Sequence, residues 1–321
     1  MLRRLPVLVP AAALGICLYF VELPLFVEGP GPPHDVIPRI DIDGVPTYQP
    51  DGRILFTTVN VGRVNVYDAV WAGFDPDWQL VNEDLLVPSG FTDEEYNRVT
   101  LSQMDSSKIA AVVSALEGLT DYPLEHGRGA LVYATQPGTP AHGRLFPGDV
   151  ITAVGGEPIE DTDELGSVIE AAAVGKTLRL EVEPVEGTGR AETVEVRATE
   201  QRGRSVIGVY AVENFPFEVT IESGKIGGPS AGLMWALGVT DLLTPGDIGG
   251  GRALAGTGGI RLDGRVIPIG GVWLKVLAAE RAGADVFFVP AQNLAEARTA
   301  DADIELVPVA TLQDALDYLQ R

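Results

Sequence analysis

Apolar residues crowd the start of the chain: Leu5 to Val21 is a nearly unbroken run behind Arg3 and Arg4, continuing less purely through Leu23, Leu25, Phe26 and Val27. Its length approaches the roughly 20 residues that a helix needs to span a bilayer. Basic residues before the run and none soon after it predict a cytoplasmic N-terminus. The expectation is a retained anchor over residues 1–28, a single pass through the cell membrane with the remainder extracytoplasmic. A cleaved signal peptide is the rival, but Ala11-Ala12-Ala13 falls inside the run and not after it. Ile16 stands before Cys17 where a lipoprotein signal has a small residue. Gly29-Pro30-Gly31-Pro32-Pro33 then reads as a short stiff spacer.

The pattern next turns to strand-like runs. Gly52 to Val61 is rich in β-branched and aromatic residues and bounded by Asp51-Gly52 and Gly62, which predicts a strand over Ile54–Val61. Residues 92–117 read as mainly helical, with Ile109, Val112, Val113 and Leu116 at helical spacing. From about Ser106 to Arg197 the order is a strand at Gly129 to Ala134, a turn at Pro137-Gly138, a strand in Leu145-Phe146-Pro147-Gly148-Asp149-Val150-Ile151, a helix near Thr162 to Ala173, and strands at Thr177–Val182 and Glu192–Arg197. The Leu-x-x-Gly-Asp-x-Ile pattern within this order resembles a PDZ domain of the kind attached to bacterial proteases. Such a domain binds an extended peptide by adding it to a sheet edge. The resemblance implies Gly127-Arg128-Gly129-Ala130-Leu131 as the receiving loop, with Gly129, Ala130 and Leu131 as the peptide-binding residues; an unused groove is the plain alternative.

Composition narrows the function classes. With 23 Lys+Arg against 45 Asp+Glu, the formal charge of -22 repels phosphate backbones, so no nucleic-acid partner is expected. Cys17 is the single cysteine, which leaves no disulfide and no thiolate metal site. No metal and no other cofactor is expected. Gly175-Lys176-Thr177 lacks the glycine-rich lead of a phosphate loop, Glu170 standing where its first glycine belongs, so no nucleotide site and no ATPase motor are expected.

The chemistry concentrates in Ile226-Gly227-Gly228-Pro229-Ser230-Ala231-Gly232-Leu233-Met234. Glycines and a proline force a turn, and a helix follows at or just after Ser230. A hydroxyl there lies beside unpaired amides at a helix N-terminus, which can stabilise an oxyanion. The plain reading is an N-cap serine. Gly-x-Ser-x-Gly also fits the α/β-hydrolase elbow, but its acid and histidine follow the serine, whereas His34, His126 and His142 all precede it. The base could then be a lysine. Only Lys108, Lys176, Lys225 and Lys275 are available, and the helical neighbours of Lys275 (Gly271, Val272, Ala278 and Ala279) are small or apolar. Desolvation on such a face lowers an ammonium pKa; the plain reading is a lysine that snorkels to water.

Gly228-Pro229-Ser230-Ala231-Gly232, Ala255-Gly256-Thr257-Gly258-Gly259, Pro268-Ile269-Gly270-Gly271 and Lys275-Val276-Leu277-Ala278-Ala279 occur in an order that resembles the proteolytic domain of Lon proteases over residues 219–291. The resemblance implies a Ser230–Lys275 dyad with Thr257 positioning the lysine, and backbone amides of Ser230 and Ala231 as the oxyanion site. One departure stands out: ATP-driven Lon enzymes commonly carry an acid three residues before the serine, where this chain has Gly227. The nearer likeness is to ATP-independent, membrane-anchored, PDZ-containing Lon-like proteins.

The expected fold class is α+β: an N-terminal transmembrane helix, then a PDZ-like β-rich domain inserted into or preceding a Lon-type proteolytic domain. Its expected parts are the anchor over 1–28, an N-terminal part of the Lon-like domain over 36–105, the PDZ-like domain over 106–198 and the proteolytic domain over 199–321. If the PDZ-like part is inserted, Ile54–Val61 should join the sheet that carries Phe217–Ile221. The expected function is ATP-independent serine endopeptidase, acting on proteins or peptides, with the lipid bilayer as a further partner through the N-terminal helix. Self-association into a homo-oligomer stays open. The rival from another class is a catalytically silent, membrane-tethered PDZ adaptor.

Overall fold

The computed structural model describes residues 16–88, 90–185, 189–190 and 192–321. The central sheet has five strands in the order His34–Asp35, Arg53–Phe56, Ala253–Gly256, Val286–Pro290, Glu305–Val309. The last four are mutually parallel, and His34–Asp35 closes one edge antiparallel. Parallel strands need both faces covered, and the side-chain alternation supplies two apolar faces. Ile54, Phe56, Leu254, Val286 and Phe288 share one core with the helix Gly232–Leu243, here the serine helix, and with the long helix Asp93–Leu119. Leu55, Ala255, Phe287 and Val289 share the other with Val272, Val276 and Ala279 of the helix Val272–Arg281, the lysine helix. This part of the molecule is therefore α/β, a correction to the expected α+β class: helices connect parallel strands and pack on both sheet faces.

The N-terminal expectation is also corrected. Among the described residues no helix is long and apolar enough to cross a membrane. Leu23, Leu25, Phe26 and Val27 lie in a strand, Glu22–Pro30, which pairs antiparallel with Val59–Asn65 on one side and Gln79–Asn82 on the other. Phe26 turns inward and is buried while its neighbours are not, an alternation that a two-residue period serves and a spanning helix does not. Residues 1–15, which hold most of the apolar run, lie outside the described residues.

The strand expected over Ile54–Val61 is two strands. Arg53–Phe56 enters the central sheet beside Ala253–Gly256, and after Thr57-Thr58 the chain crosses to the three-stranded sheet as Val59–Asn65. Glu218–Ile221 pairs instead with Ile40–Asp43 in a separate ribbon. Segments before and after the PDZ-like part thus build one domain, although not through the strand pair expected. The expected division between 105 and 106 falls inside the long helix, whose Met104, Ile109 to Val113, Ala115 and Leu116 belong to the core shared with the serine helix.

The PDZ-like part is an antiparallel sheet in the order Thr193–Arg197, Thr177–Glu183, Val150–Val154, Gly127–Thr135, Val209–Asn214. The helix Thr162–Ala171 buries Leu165 and Ile169 in its own small core, with Val209 and Ala211 packed against it. Its last strand lies beyond the expected boundary at 198 and leads straight back to the part of the chain that holds the serine helix.

Phe56 ends the strand that opens onto the site, is fully buried, and stacks between Trp235 and His34 with ring centroids 4.9 and 5.1 Å away. Phe56→Ala should lower unfolding free energy by about 3–5 kcal/mol, read from the urea midpoint at constant m-value.

Candidate active site

Ser230 and Lys275 reach each other from opposite faces of the central sheet. The serine helix covers one face and the lysine helix the other, and they meet beyond the carboxyl end of Ala253–Gly256, where Thr257 follows. Open parallel sheets gather their chemistry at that end. Lys275 Nζ lies 2.8 Å from Ser230 Oγ and 3.1 Å from Thr257 Oγ1 and donates to both. Thr257 is fully buried and donates its own proton to the Ser230 carbonyl at 3.0 Å. The hydroxyl therefore has one lone-pair side turned to the lysine and its proton committed elsewhere, which fixes the amine's aim.

Lys275 is 4% exposed. Burial pushes its pKa down to about 8, against a smaller upward pull from Glu296. Glu296 accepts the Val272 N–H at 2.9 Å at the first turn of the lysine helix, and Asn293 Nδ2 donates to its other oxygen at 3.1 Å. The carboxylate thus serves the helix end first and acts on the amine at longer range.

Ser230 does not act as an N-cap. The cap position is Ala231, with no side-chain bond to the helix, and the half-buried Ser230 sits one residue earlier. Among the described residues, no backbone acceptor takes the N–H of Ser230 or of Ala231. Both amides stand at the positive end of the serine helix, the arrangement an oxyanion requires.

A cleft of about 730 Å³ opens on this group, lined by Ser230 and Lys275 with Phe56 and Met104, by Val59, Gln79 and Val81 of the three-stranded sheet, and by Lys225 to Gly227. The three-stranded sheet had no counterpart in the sequence reading. His34 also lines the cleft, stacked on Phe56. Its imidazole pKa is lowered by burial and by nearby Arg39, and it makes no hydrogen bond to Ser230.

The peptide-binding expectation at Gly129, Ala130 and Leu131 is corrected. Ala130 and Leu131 pair with Glu213 and Val212 on one side and with Ile151 and Val150 on the other. A strand bonded on both edges has none to offer. The buried, small and apolar Gly-Ala-Leu segment marks a central strand, not a receiving loop. The free edge belongs to Val209–Asn214, last in the sheet order and packed near the helix Thr162–Ala171. Just before it, the carbonyls of Ile207 and Gly208 accept from Ala141 and Gln136, while among the described residues their N–H groups meet no backbone acceptor. Gly208 has φ +85°, which turns its amide out of the ladder at little cost for glycine. At the far end the Glu213 carboxylate accepts from the Thr162 N–H at 3.2 Å, which closes the gap between strand and helix. The sequence signal was there in Val206-Ile207-Gly208-Val209, an apolar pair around a glycine leading into a strand.

Among known protein families, residues 191–319 match the Lon protease (S16) C-terminal proteolytic domain and residues 131–184 match a PDZ domain. The Lon protease of Desulforamulus reducens is 33% identical over 169 residues, 47% of this chain and 20% of the relative. That of Chloroflexus aurantiacus is 31% identical over 182 residues, 53% of this chain and 20% of the relative. The chain thus spans about one fifth of the length of these relatives. The PDZ domain of an SdrC-like protein from Listeria monocytogenes aligns with 26% of this chain and 87% of its own at 25% identity, with a TM-score of 0.24. Residues 191–319 are thus similar to the C-terminal proteolytic domain of Lon (S16) proteases, and residues 131–184 to a PDZ domain.

Proposed function

We propose that this protein hydrolyses peptide bonds by acyl transfer through a Ser230–Lys275 dyad and takes extended peptide on the free edge of its PDZ domain. The observation that carries the reading is the 2.8 Å contact between Lys275 Nζ and Ser230 Oγ inside a buried, apolar surround. With the amine neutral, its lone pair takes the Ser230 proton as Oγ attacks the scissile carbonyl. The oxygen becomes an oxyanion held by the Ser230 and Ala231 amides, and the ammonium returns the proton to the leaving amine. Water then gives a proton to Lys275 as its oxygen attacks the acyl carbon, and the ammonium returns that proton to Ser230 Oγ as the bond to the acyl group breaks. Each step moves only protons and acyl groups, so the hydrolysis needs no nucleotide.

The cleft suits an extended chain: an open trough with apolar Phe56, Val59, Val81 and Ile226 and with polar Gln79 and Lys225 at its sides. On the PDZ domain, the unpaired amides of Ile207 and Gly208 suit a terminal carboxylate, and the edge strand Val209–Asn214 suits the residues before it. The groove holds no paired nucleophile and base, so its contribution is recognition.

A pKa near 8 leaves roughly one tenth of Lys275 neutral at pH 7, against fewer than about one in a thousand for a free lysine. Turnover of a fluorogenic peptide should therefore rise with pH and level off above about 8. Ser230→Ala and Lys275→Arg should each lower kcat by at least about 100-fold. Cleavage unchanged in both variants, or absent from the parent protein on unfolded substrates, would leave a binding role only.

Glu296→Gln keeps an acceptor for the Val272 N–H but removes the charge that pulls the Lys275 pKa upward. The acid limb of its pH–rate profile should move to lower pH, raising relative turnover at pH 6–7. A limb that stays in place or moves up would contradict the electrostatic account.

A peptide with a free C-terminal carboxylate should bind the PDZ domain at least about tenfold more tightly than the same peptide amidated, a difference of roughly 1.4 kcal/mol by fluorescence anisotropy. Equal affinities would exclude carboxylate capture by the Ile207–Gly208 amides.

A further inference from the structure

The long helix Asp93–Leu119 runs beside the nucleophile loop and touches it through Thr100 and Ser107, and seven residues on it touches the turn at Arg261 through Ser114. The Thr100 carbonyl accepts the Gly228 N–H at 2.7 Å, Ser107 Oγ donates to the Pro229 carbonyl at 3.0 Å, and Ser114 Oγ donates to the Arg261 carbonyl at 2.9 Å. A seven-residue step is two helical turns, so all three lie on one face. The approach is close enough to set the loop's composition. A Cβ on Gly227 would come within 2.6 Å of Thr100 Oγ1, and one on Gly232 within 2.6 Å of Ser107 Oγ.

The trans peptide unit makes the Ser107 contact consequential. In such a unit the carbonyl of one residue and the N–H of the next point in opposite directions from one rigid plane. Tying the Pro229 carbonyl down to Ser107 aims the Ser230 N–H away from the long helix. The same logic holds one residue later, where the Ser230 carbonyl accepts from the Gly258 N–H at 2.8 Å and from Thr257 Oγ1 at 3.0 Å, which turns the Ala231 N–H. The two oxyanion donors are thus set by two anchored carbonyls. One anchor belongs to the residues beside the dyad; the other is Ser107 Oγ, from a helix far away in sequence, which at 3.0 Å is closer than the local Gly232 N–H at 3.4 Å.

We infer that Ser107 is a positioning residue: by holding the Pro229 carbonyl it orients the Ser230 amide toward the developing oxyanion. The inference rests on the proposed role of Ser230. Ser107 touches neither substrate nor Lys275 in this arrangement, so its loss should change transition-state stabilisation and leave proton transfer to the lysine alone. Ser106, its neighbour, provides a control, because its hydroxyl donates to the Tyr133 carbonyl of the PDZ sheet at 2.9 Å and not to the nucleophile loop.

The test uses the full chain, with active sites titrated by a fluorophosphonate probe and turnover of a fluorogenic peptide expressed per titrated site. Labelling of Ser230 in the parent reports on the nucleophile itself, and the ratio of variant to parent turnover reports on positioning. Ser107→Ala should lower kcat per titrated site about tenfold, with KM within twofold and the acid limb of the pH–rate profile unmoved, while Ser106→Ala should keep the parent kcat on the short peptide. The inference is overturned if Ser107→Ala turns over within twofold of the parent. It is equally overturned if its loss is accompanied by a shifted acid limb or matched by Ser106→Ala. Should Ser107→Ala fail to fold, Ser107→Cys keeps the volume with a weaker donor; an intermediate kcat supports the inference, and parent turnover overturns it.

Discussion

The placement of one buried amine organises the half of the molecule built on the central sheet. Lys275 can stay buried only where its hydrogens find acceptors, and it finds them in Ser230 and Thr257. Those acceptors arrive from different elements: Thr257 from the end of a central parallel strand, Ser230 from the turn before a helix on one sheet face, and Lys275 from a helix on the other. The side-chain alternation of Leu254, Ala255 and Gly256 binds both helices to one strand, so the register of that strand sets the distance between serine and lysine. Glycine at 256 allows the serine helix to lie close, since a Cβ there would meet Met234 Sδ at 2.7 Å.

The PDZ domain is joined to this arrangement at both ends of its chain. The long helix enters it from the core of the serine helix, and the edge strand Val209–Asn214 leaves it toward Glu218–Ile221 and then the loop that forms one cleft wall. About twenty residues of chain separate the start of the free sheet edge from Ser230. A helix with one hydroxyl on a PDZ carbonyl and the next on the nucleophile loop ties the two domains across the sequence gap as well.

Legibility followed how local each signal was. The turn at Ser230 and the small, apolar face around Lys275 are stated by near neighbours, whereas their meeting at Thr257 was implied only by the order of the Lon-like motifs. The α/β character of the sheet was missed because Arg53–Phe56 and Ala253–Gly256 become partners across almost 200 residues. Leu23 to Val27 misled because a short apolar segment behind a longer one reads as its continuation, although strand alternation was present at Phe26. At Gly129-Ala130-Leu131 the glycine drew attention to a loop, whereas pairing on both sides is invisible until the last strand, Val209–Asn214, is in place. Ser107 looked like an ordinary helix residue; nothing local distinguishes a serine whose partner is a carbonyl 122 positions away.

An amine whose pKa is lowered by burial is also a debit against the fold. The unfolded chain keeps a lysine of ordinary basicity, near 10.5, while the native one releases its proton at about 8. Below pH 8 the native state must therefore either keep a charge in an apolar surround or do without a proton that the unfolded state binds, and the full penalty applies. Between about 8 and 10.5 the unfolded state binds more protons than the native one, so stability rises with pH across that window and the penalty vanishes above it. At neutral pH the buried amine therefore costs the fold stability, and a thioether or alkyl chain in its place would remove that cost together with the contact to Ser230.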